Sequence, residues 1–246
     1  MLTDIRTVMW KEGKHMWDQV GGASVTGRLT LLAFVGVFGV FSPWVSGPTW
    51  ISSPLLLFVY PFAAAAVVIQ PVIDSFAGER ERHTLETLLA SRLSDSAILF
   101  GKMLAALLSG CGFAGAMLLL GILAANLMHG HGGLLRPPAW LAVGAPLLIV
   151  ALAGFVATGG VFVSLRAPTV RQATQTFGFV ILAVMLGPLL IGSFLPAATK
   201  AMLLTWVRGQ NATTMVLLAA GALLALDGVF LAAAFRQFRR GRLTLD

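Results

Sequence analysis

The sequence predicts an all-α membrane protein: an N-terminal interfacial amphipathic helix, then six transmembrane helices, with both termini in the cytosol. Hydrophobic residues make up 57% of its 246 residues and charged residues only 11%, whereas an average soluble domain has about 25% charged residues. Six apolar blocks approach the ~20 residues that a helix needs to cross about 30 Å of hydrocarbon. We therefore expect a single transmembrane domain over residues 1–246.

The first predicted element is a connecting helix over residues 2–20. At about 100° per residue its apolar side chains share one face, bordered by tryptophans; they are Leu2, Ile5, Met9, Met16 and Val20. Such a pattern is typical of a helix that lies in the membrane interface. A short helix packed on its neighbours would show the same pattern, because amphipathicity alone does not identify the apolar partner.

The six predicted spans follow in order. They are Leu29–Val45, Leu55–Ile73, Met103–Ala125, Ala139–Val163, Phe177–Leu195 and Met215–Phe235. Spans one and two thus occupy residues 29–73, and spans three to six lie within residues 103–235. A charged loop over residues 74–102 separates the two groups, and residues 236–246 form a tail.

The distribution of basic residues orients these spans. With the N-terminus in the cytosol, all but three of the 17 basic residues fall on the cytosolic side. The exceptions are Arg136, Lys200 and Arg208. This is the bias of the positive-inside rule, so the net charge of +7 reflects topology, and we predict no nucleic-acid partner.

The sequence contains no motif for ATP hydrolysis, proteolysis or tight metal binding. Gly101-Lys102 is followed by Met103 and lacks the upstream glycine of a phosphate-binding loop, and neither HExxH nor GxSxG occurs. His129 and His131 lie close together in a predicted outer loop, but two histidines without a further ligand are weak support for a metal. We therefore assign no catalytic residue and no metal site.

The loop over residues 74–102 carries the most distinctive pattern of the chain. Residues 79–89 read ERERHTLETLL, and Gly101-Lys102 leads into the third span. This pattern resembles the cytosolic loop of bacterial type-2 ABC exporter permeases. The match extends to Lys11-Glu12 in the N-terminal helix and to residues 166–173, RAPTVRQA, between spans four and five. His83 departs from the family pattern, in which a glycine or another small residue is common.

The resemblance implies a permease that works with other subunits. A second copy or close paralogue would complete the pathway, and a separate cytosolic ABC ATPase would bind ATP and Mg, leaving no cofactor in this chain. The loop would be the coupling helix that docks into the ATPase, through Glu79, Glu81, Thr84, Leu85, Glu86, Leu88 and Leu89. The family also implies export from a bacterial cytoplasmic (inner) membrane, with a hydrophobic or amphipathic substrate such as a drug, antibiotic or lipid.

Simple helix chemistry is consistent with a docking role for this loop. If residues 79–89 are helical, Glu79 can pair with Arg82 and Arg82 with Glu86, each pair contributing about 0.2–0.5 kcal/mol. The three leucines share one face, which is costly to leave in water. Without the resemblance, a solvated hairpin that only joins two spans would explain the charges equally well.

Asp227 is the acidic residue that falls inside a predicted span. An ionisable group at membrane depth is a functional candidate, and Asp227 could bind a cationic substrate, carry a proton or lock the sixth helix. Further candidates for a substrate pathway are Gln70, Ser109, Thr158 and Gln175. Packing hydrogen bonds explain these four equally well. Two other functions stay open: an ion-driven secondary transporter that uses Asp227, and a structural membrane subunit.

Overall fold

A computed structural model of the chain describes residues 2–22, 25–84, 93–130 and 133–237. Every regular element in these residues is helical, which confirms the all-α prediction for this part of the chain. The helices are α1 (Leu2–Gly22), α2 (Val25–Phe34), α3 (Ser42–Ser46), α4 (Pro48–Ile51), α5 (Leu56–Asp74), α6 (Ala77–Glu81), α7 (Asp95–His129), α8 (Ala139–Ser164), α9 (Val170–Phe194), α10 (Ala197–Arg208) and α11 (Ala212–Gln237). A π-helical segment, Val35–Phe41, joins α2 to α3.

Five helical stretches in the described residues are long and apolar enough to cross a membrane. They are Arg28–Ser46, Leu56–Glu81, Asp95–His129, Ala139–Ser164 and Ala212–Gln237, and each contains most of one predicted span. The remaining predicted span, Phe177–Leu195, lies almost wholly on α9, some of whose side chains are outside the described set. A total of six spans and cytosolic termini stay predictions.

The helix α8 forms the centre of the bundle, with α5 and α11 packed on it. Glycines let these backbones approach closely, since a Cβ atom added at Gly160 would lie 2.6 Å from a methyl carbon of Val72 on α5. A Cβ atom at Gly144 would lie 2.8 Å from a methyl carbon of Val216 on α11. Small residues at helix interfaces are the usual means of close packing between membrane helices.

The helix α1 packs on the first part of α7. Its Val8 is 7% exposed, and a Cβ atom added at Gly101 of α7 would lie 2.6 Å from Val8 Cβ. Trp10, by contrast, is 79% exposed. The predicted helix over residues 2–20 is thus confirmed, and one of its faces contacts α7 while Trp10 stays available to a membrane interface.

Two helices differ from the sequence-based prediction. The helix α7 begins at Asp95, ahead of the predicted start at Met103, because Ser94 caps it by accepting a hydrogen bond from the Ala97 amide at 3.3 Å. Its 35 residues span about 52 Å at ~1.5 Å per residue, more than the hydrocarbon thickness. The helix α10 lies between the fifth and sixth predicted spans, where the sequence analysis placed no helix.

Candidate functional site

The chain leaves α5 through a short turn, and one serine of α8 holds that turn. Ser164 Oγ, which is fully buried, accepts hydrogen bonds from the amides of Phe76 at 3.2 Å and Ala77 at 2.9 Å. It also donates to the Ile73 carbonyl at 2.7 Å. The hydroxyl thus satisfies backbone groups that the end of α5 would leave unpaired. This fixes the start of α6 to the end of α8.

The helix α6 ends in a Schellman motif. The His83 amide donates to the Arg80 carbonyl at 3.1 Å, and the Thr84 amide donates to the Glu79 carbonyl at 2.9 Å. His83 has a φ of +56°, in the left-handed region where glycine is most favoured. The helical condition on which the predicted Glu79–Arg82 and Arg82–Glu86 pairs depended is therefore not met, since the helix ends at Glu81.

Residues 85–92 lie outside the described residues, and with them four predicted docking side chains: Leu85, Glu86, Leu88 and Leu89. Glu86, the predicted i+4 partner of Arg82, is among them.

Arg82 pairs with a residue that the helical spacing did not indicate. Its Nη2 lies 3.0 Å from both carboxylate oxygens of Asp74, at the end of α5. This pairing replaces the predicted Glu79–Arg82 pair. The hydrogen bond to Asp74, together with the charge of its carboxylate, raises the pKa of Arg82 above its ordinary value. The Arg82 side chain is 55% exposed, so the pair contributes little stability.

A buried lysine joins α1, α6 and α7. Lys102 Nζ lies 3.0 Å from Glu12 Oε1 and 3.4 Å from Glu79 Oε1, and it lies 5.8 Å from the centre of the Phe76 ring. The Lys102 side chain is 4% exposed, and a buried ammonium group requires such partners. The Gly101-Lys102 pair therefore has a structural role, because Gly101 makes room for α1 and Lys102 binds it to α6.

The turn between α8 and α9 is held by the two residues that follow Glu79. Arg80 donates hydrogen bonds to the carbonyls of Ala167 and Leu165, the latter at 3.1 Å. Glu81 Oε2 accepts a hydrogen bond from the Val170 amide at 3.2 Å. A carboxylate at this position also interacts favourably with the dipole of α9. Residues 79–84 and 166–173, both of which carried the resemblance, thus contact each other.

The three predicted docking residues that the structure describes divide into two groups. Glu79 and Glu81 bind other parts of this chain, through Lys102 and the Val170 amide. Thr84 is exposed, and its hydroxyl donates to Glu79 Oε2. Sequence reasoning missed the anchoring role of Lys102 and Ser164. The one available signal was that each is a polar residue at the end of an apolar block.

Asp227 lies against α8 inside the bundle. A Cβ atom added at Gly154 would lie 2.6 Å from Asp227 Oδ2, so this glycine makes room for the carboxylate. Asp227 Oδ1 is buried and has no hydrogen-bond partner within the described part of the chain. The Thr158 hydroxyl is adjacent to the same carboxylate and donates to the Gly154 carbonyl at 3.0 Å.

The other pathway candidates are not part of this group in the described structure. Ser109 Oγ donates to the Ala106 carbonyl of its own helix at 2.7 Å, as a packing hydrogen bond would. Gln70 and Gln175 are exposed on the surface of the single chain. Of the four polar candidates, the structure therefore brings Thr158 next to Asp227.

No group of three or more potential metal ligands occurs among the residues that the structure describes. His131 lies outside those residues, so the predicted histidine pair is not described as a pair. His129 packs on the turn after α3, where a Cβ atom added at Gly47 would lie 2.7 Å from its ring.

Comparison with protein families agrees with this architecture. The model of the family described as "ABC-2 family transporter protein" matches residues 54–217, about two thirds of the chain. The matched region includes α6, Lys102 and the turn between α8 and α9, whose contacts are described above. A search among curated proteins found no match. The family match confirms the resemblance seen in the sequence: this chain is a multi-pass membrane protein that belongs to the ABC-2 family of transporter proteins.

Proposed function

We propose that this chain is the permease subunit of an ATP-driven exporter, and that α6 with the loop after it couples a separate cytosolic ATPase to the spans. ATP and Mg would be bound by that ATPase, and a second permease copy or a close paralogue would complete the substrate pathway. The proposed location is a bacterial inner membrane. The proposed substrate is a hydrophobic or amphipathic small molecule, because few fixed charges lie in the spans.

The anchoring of α6 is the observation that carries this proposal. A docking element can transmit motion only if it is attached firmly to the parts that move. Lys102 attaches α6 to α1 and α7, while Ser164 attaches its start to α8. Glu81 attaches its end to α9. Motion of the loop over residues 82–92 would therefore be transmitted through α6 to these four helices.

We propose different roles for the acidic and the apolar docking residues. Glu79 and Glu81 hold α6 to the body of the permease, so their carboxylates are partly committed within the chain. The leucines at 85, 88 and 89 are then the proposed source of apolar contact with the ATPase. Buried apolar side chains usually carry more of an interface's affinity than charges at its rim.

Exposed apolar helices support the proposed second copy. In the single chain only 11% of the most apolar part of Arg28–Ser46, and of Ala212–Gln237, is buried against other helices. The corresponding share in Ala139–Ser164 is 61%. The first and last of these stretches thus have apolar surface left to contact lipid or another permease subunit. A central α8 with peripheral partners is consistent with a half-transporter that pairs with a second half.

The experiment that tests the coupling role is the substitution Leu88→Asp in the assembled complex. We expect the ATPase to dissociate during purification and ATP-driven transport to be lost, because a buried carboxylate in an apolar contact is strongly unfavourable. Leu134→Asp is the matched control, since Leu134 is 70% exposed in the predicted outer loop. That variant should keep the ATPase bound. An intact, fully active Leu88→Asp complex would overturn the proposal.

Asp227 supports a second candidate, an ion-driven secondary transporter. Its buried Oδ1 has no hydrogen-bond partner within the described residues, which is unusual for a purely structural carboxylate. In that case Asp227 would gain and lose a proton or bind a cation on every transport cycle. We favour the ATP-driven function, in which Asp227 adjusts the charge of the pathway without driving it.

The substitution Asp227→Asn separates the two candidates. In a reconstituted complex we expect ATP-driven transport of a neutral substrate to continue at a similar rate, because the amide keeps the size and polarity of the side chain. Thr174→Ala on exposed α9 is a control for unspecific effects of reconstitution. Loss of transport in a folded Asn variant, with wild-type transport driven by a pH gradient alone, would favour the secondary transporter.

A further inference from the structure

We infer that a cleft between the ends of α8 and α11 binds the headgroup of an anionic phospholipid. The cleft has a volume of about 920 Å³ and lies at the predicted cytosolic ends of the fourth and sixth spans. We call it the arginine cleft. The residues that characterise it are Arg80, Arg166 and Arg236, together with Phe162, Val229 and Ala233.

The charge of the arginine cleft is of one sign. Three of the described residues that line it are arginines, and none of those residues is acidic. The positive-inside rule accounts for arginines at the ends of spans, but it does not require them to converge. Here Arg80 comes from α6, Arg166 from the turn after α8 and Arg236 from α11. Convergence from three elements is typical of a binding site for an anion.

Two of these guanidinium groups are held in place before any ligand binds. Arg166 Nε donates to Gln237 Oε1 at 2.8 Å, and its Cζ lies 4.3 Å from the centre of the Phe162 ring. Arg80 is held by two backbone carbonyls of the turn after α8. A guanidinium has five N–H donors, so Arg166 still has donors available on its Nη atoms. Oriented guanidinium groups bind phosphate oxygens in bidentate fashion.

The apolar side of the cleft favours a lipid over a soluble anion. Phe162, Val229 and Ala233 line it next to the arginines, and Val229 is 64% exposed in the single chain. A phospholipid presents this combination of phosphate and acyl chain, and basic pockets between spans on the cytosolic side bind such headgroups. The cytoplasmic leaflet also supplies anionic lipid at high local concentration.

The test uses the full chain in nanodiscs of phosphatidylcholine, with or without phosphatidylglycerol carrying the same acyl chains. We expect native mass spectrometry to show retained phosphatidylglycerol, and the melting temperature to rise when it is present. Inorganic phosphate or glycerol phosphate, added to phosphatidylcholine nanodiscs, should not reproduce the rise. If either soluble anion gives the same rise, the site binds a phosphate ion and the inference of a lipid is wrong.

Variants separate a defined site from general surface charge. The double substitution Arg166→Gln and Arg236→Gln should reduce phosphatidylglycerol retention about tenfold or more, because it removes charge-assisted hydrogen bonds. Arg171→Gln is the matched control, since Arg171 is exposed on the same predicted side but does not line the cleft. It should retain the lipid. Equal losses in both variants would overturn the inference in favour of diffuse charge.

A second variant keeps the charges and fills the apolar side. Ala233→Phe should also lower phosphatidylglycerol retention, although all three arginines remain. This substitution keeps the inference testable if the double arginine variant does not fold, which circular dichroism and gel filtration would show. Unchanged lipid retention in folded Ala233→Phe would mean that the cleft is not the lipid site. None of these measurements depends on the ATPase, so the inference can fail while the proposed transport function stands.

Discussion

His83 shows how one backbone angle determines where an element ends. The sequence around it has good helix formers on both sides, and side-chain spacing alone predicts a helix through residue 89. The chain instead adopts a left-handed conformation at His83, with a φ of +56°. That conformation allows both hydrogen bonds of the Schellman motif.

We predict that substitutions at His83 follow the cost of the left-handed conformation. His83→Gly should leave the exchange protection of amides in the turn at its wild-type level. Glycine adopts a positive φ without strain, and its larger loss of entropy on folding offsets this gain. His83→Val should weaken it by about 1–2 kcal/mol, because a β-branched residue disfavours this region. Hydrogen–deuterium exchange of peptides covering residues 75–84 would measure the difference.

A control position on α9 should show the opposite order of effects for glycine and valine. At Thr176, an exposed position in a regular helix, valine should be tolerated better than glycine. If glycine proves worse than valine at both positions, the turn at His83 is not left-handed in solution.

At the scale of single residues, sequence reasoning identified charged groups better than it identified their partners. Asp227 lies on α11, a helix long and apolar enough to span the membrane, as hydropathy predicted. The contact of Asp227 with Thr158 and the space that Gly154 provides for its carboxylate depend on how α8 and α11 face each other. The partner of Arg82 is Asp74, eight residues earlier in the chain. The i+3 and i+4 spacing of a regular helix could not indicate this pair.

At the scale of elements, the ends of helices were harder to predict than their apolar middles. Five predicted spans coincide closely with helical stretches because length and hydropathy are set locally. The start of α7 depends instead on the cap at Ser94. The break between α5 and α6 depends on Ser164 of α8, which is far away in sequence. Long-range contacts of this kind leave no periodic signal in one sequence.

The attachment of α6 to α1 and α7 depends on Lys102, and we predict that Lys102→Met weakens it. The methionine has a similar volume but leaves Glu12 and Glu79 without their shared cation. Breaking a fully buried ion pair costs about 3–5 kcal/mol, and we expect less here because both carboxylates keep 19% of their side-chain surface exposed. The melting temperature of the purified chain should fall clearly, and under the proposed function coupling to the ATPase should fall with it.

Two controls distinguish the lost ion pair from a general effect of lost charge. Lys11→Met removes a charge from an exposed position of α1 and should have little effect. Combining Lys102→Met with Glu12→Gln and Glu79→Gln removes the unpaired carboxylates and should restore part of the melting temperature. It should not restore coupling, because the attachment is still missing. If Lys11→Met and Lys102→Met have equal effects, Lys102 does not join these helices.

At the scale of the whole molecule, polar contacts near the predicted cytosolic face act together with the apolar core in holding the helices to one another. The apolar core unites α5, α7, α8 and α11 and includes Ala173 and Phe177 near the start of α9. Polar contacts around α6 add to it, because Lys102 joins α1 to α6 and Glu81 binds the first residue of α9. Composition predicted the membrane class, because a chain with 57% hydrophobic residues cannot bury them all in a soluble core. The linkage between parts could not be read from composition.

The topology of the whole chain gives the last prediction. In a Cys111→Ser background, single cysteines at His83, Arg136, Thr169 and Lys200 should react with a membrane-impermeant maleimide in an alternating pattern. Arg136 and Lys200 are among the three basic residues predicted outside, so cysteines there should react in intact cells. Cysteines at 83 and 169 should react only after permeabilisation, because they lie on the side where arginines and lysines concentrate.

The pair at 169 and 200 decides whether α9 crosses the membrane. Thr169 precedes α9, and Lys200 lies on α10 just beyond it, so opposite accessibility requires a span between them. A helix of 25 residues is about 37 Å long at ~1.5 Å per residue, enough to cross the hydrocarbon. If both cysteines react only after permeabilisation, α9 does not cross. The C-terminus would then lie outside, with Arg236 and the basic tail against the positive-inside rule.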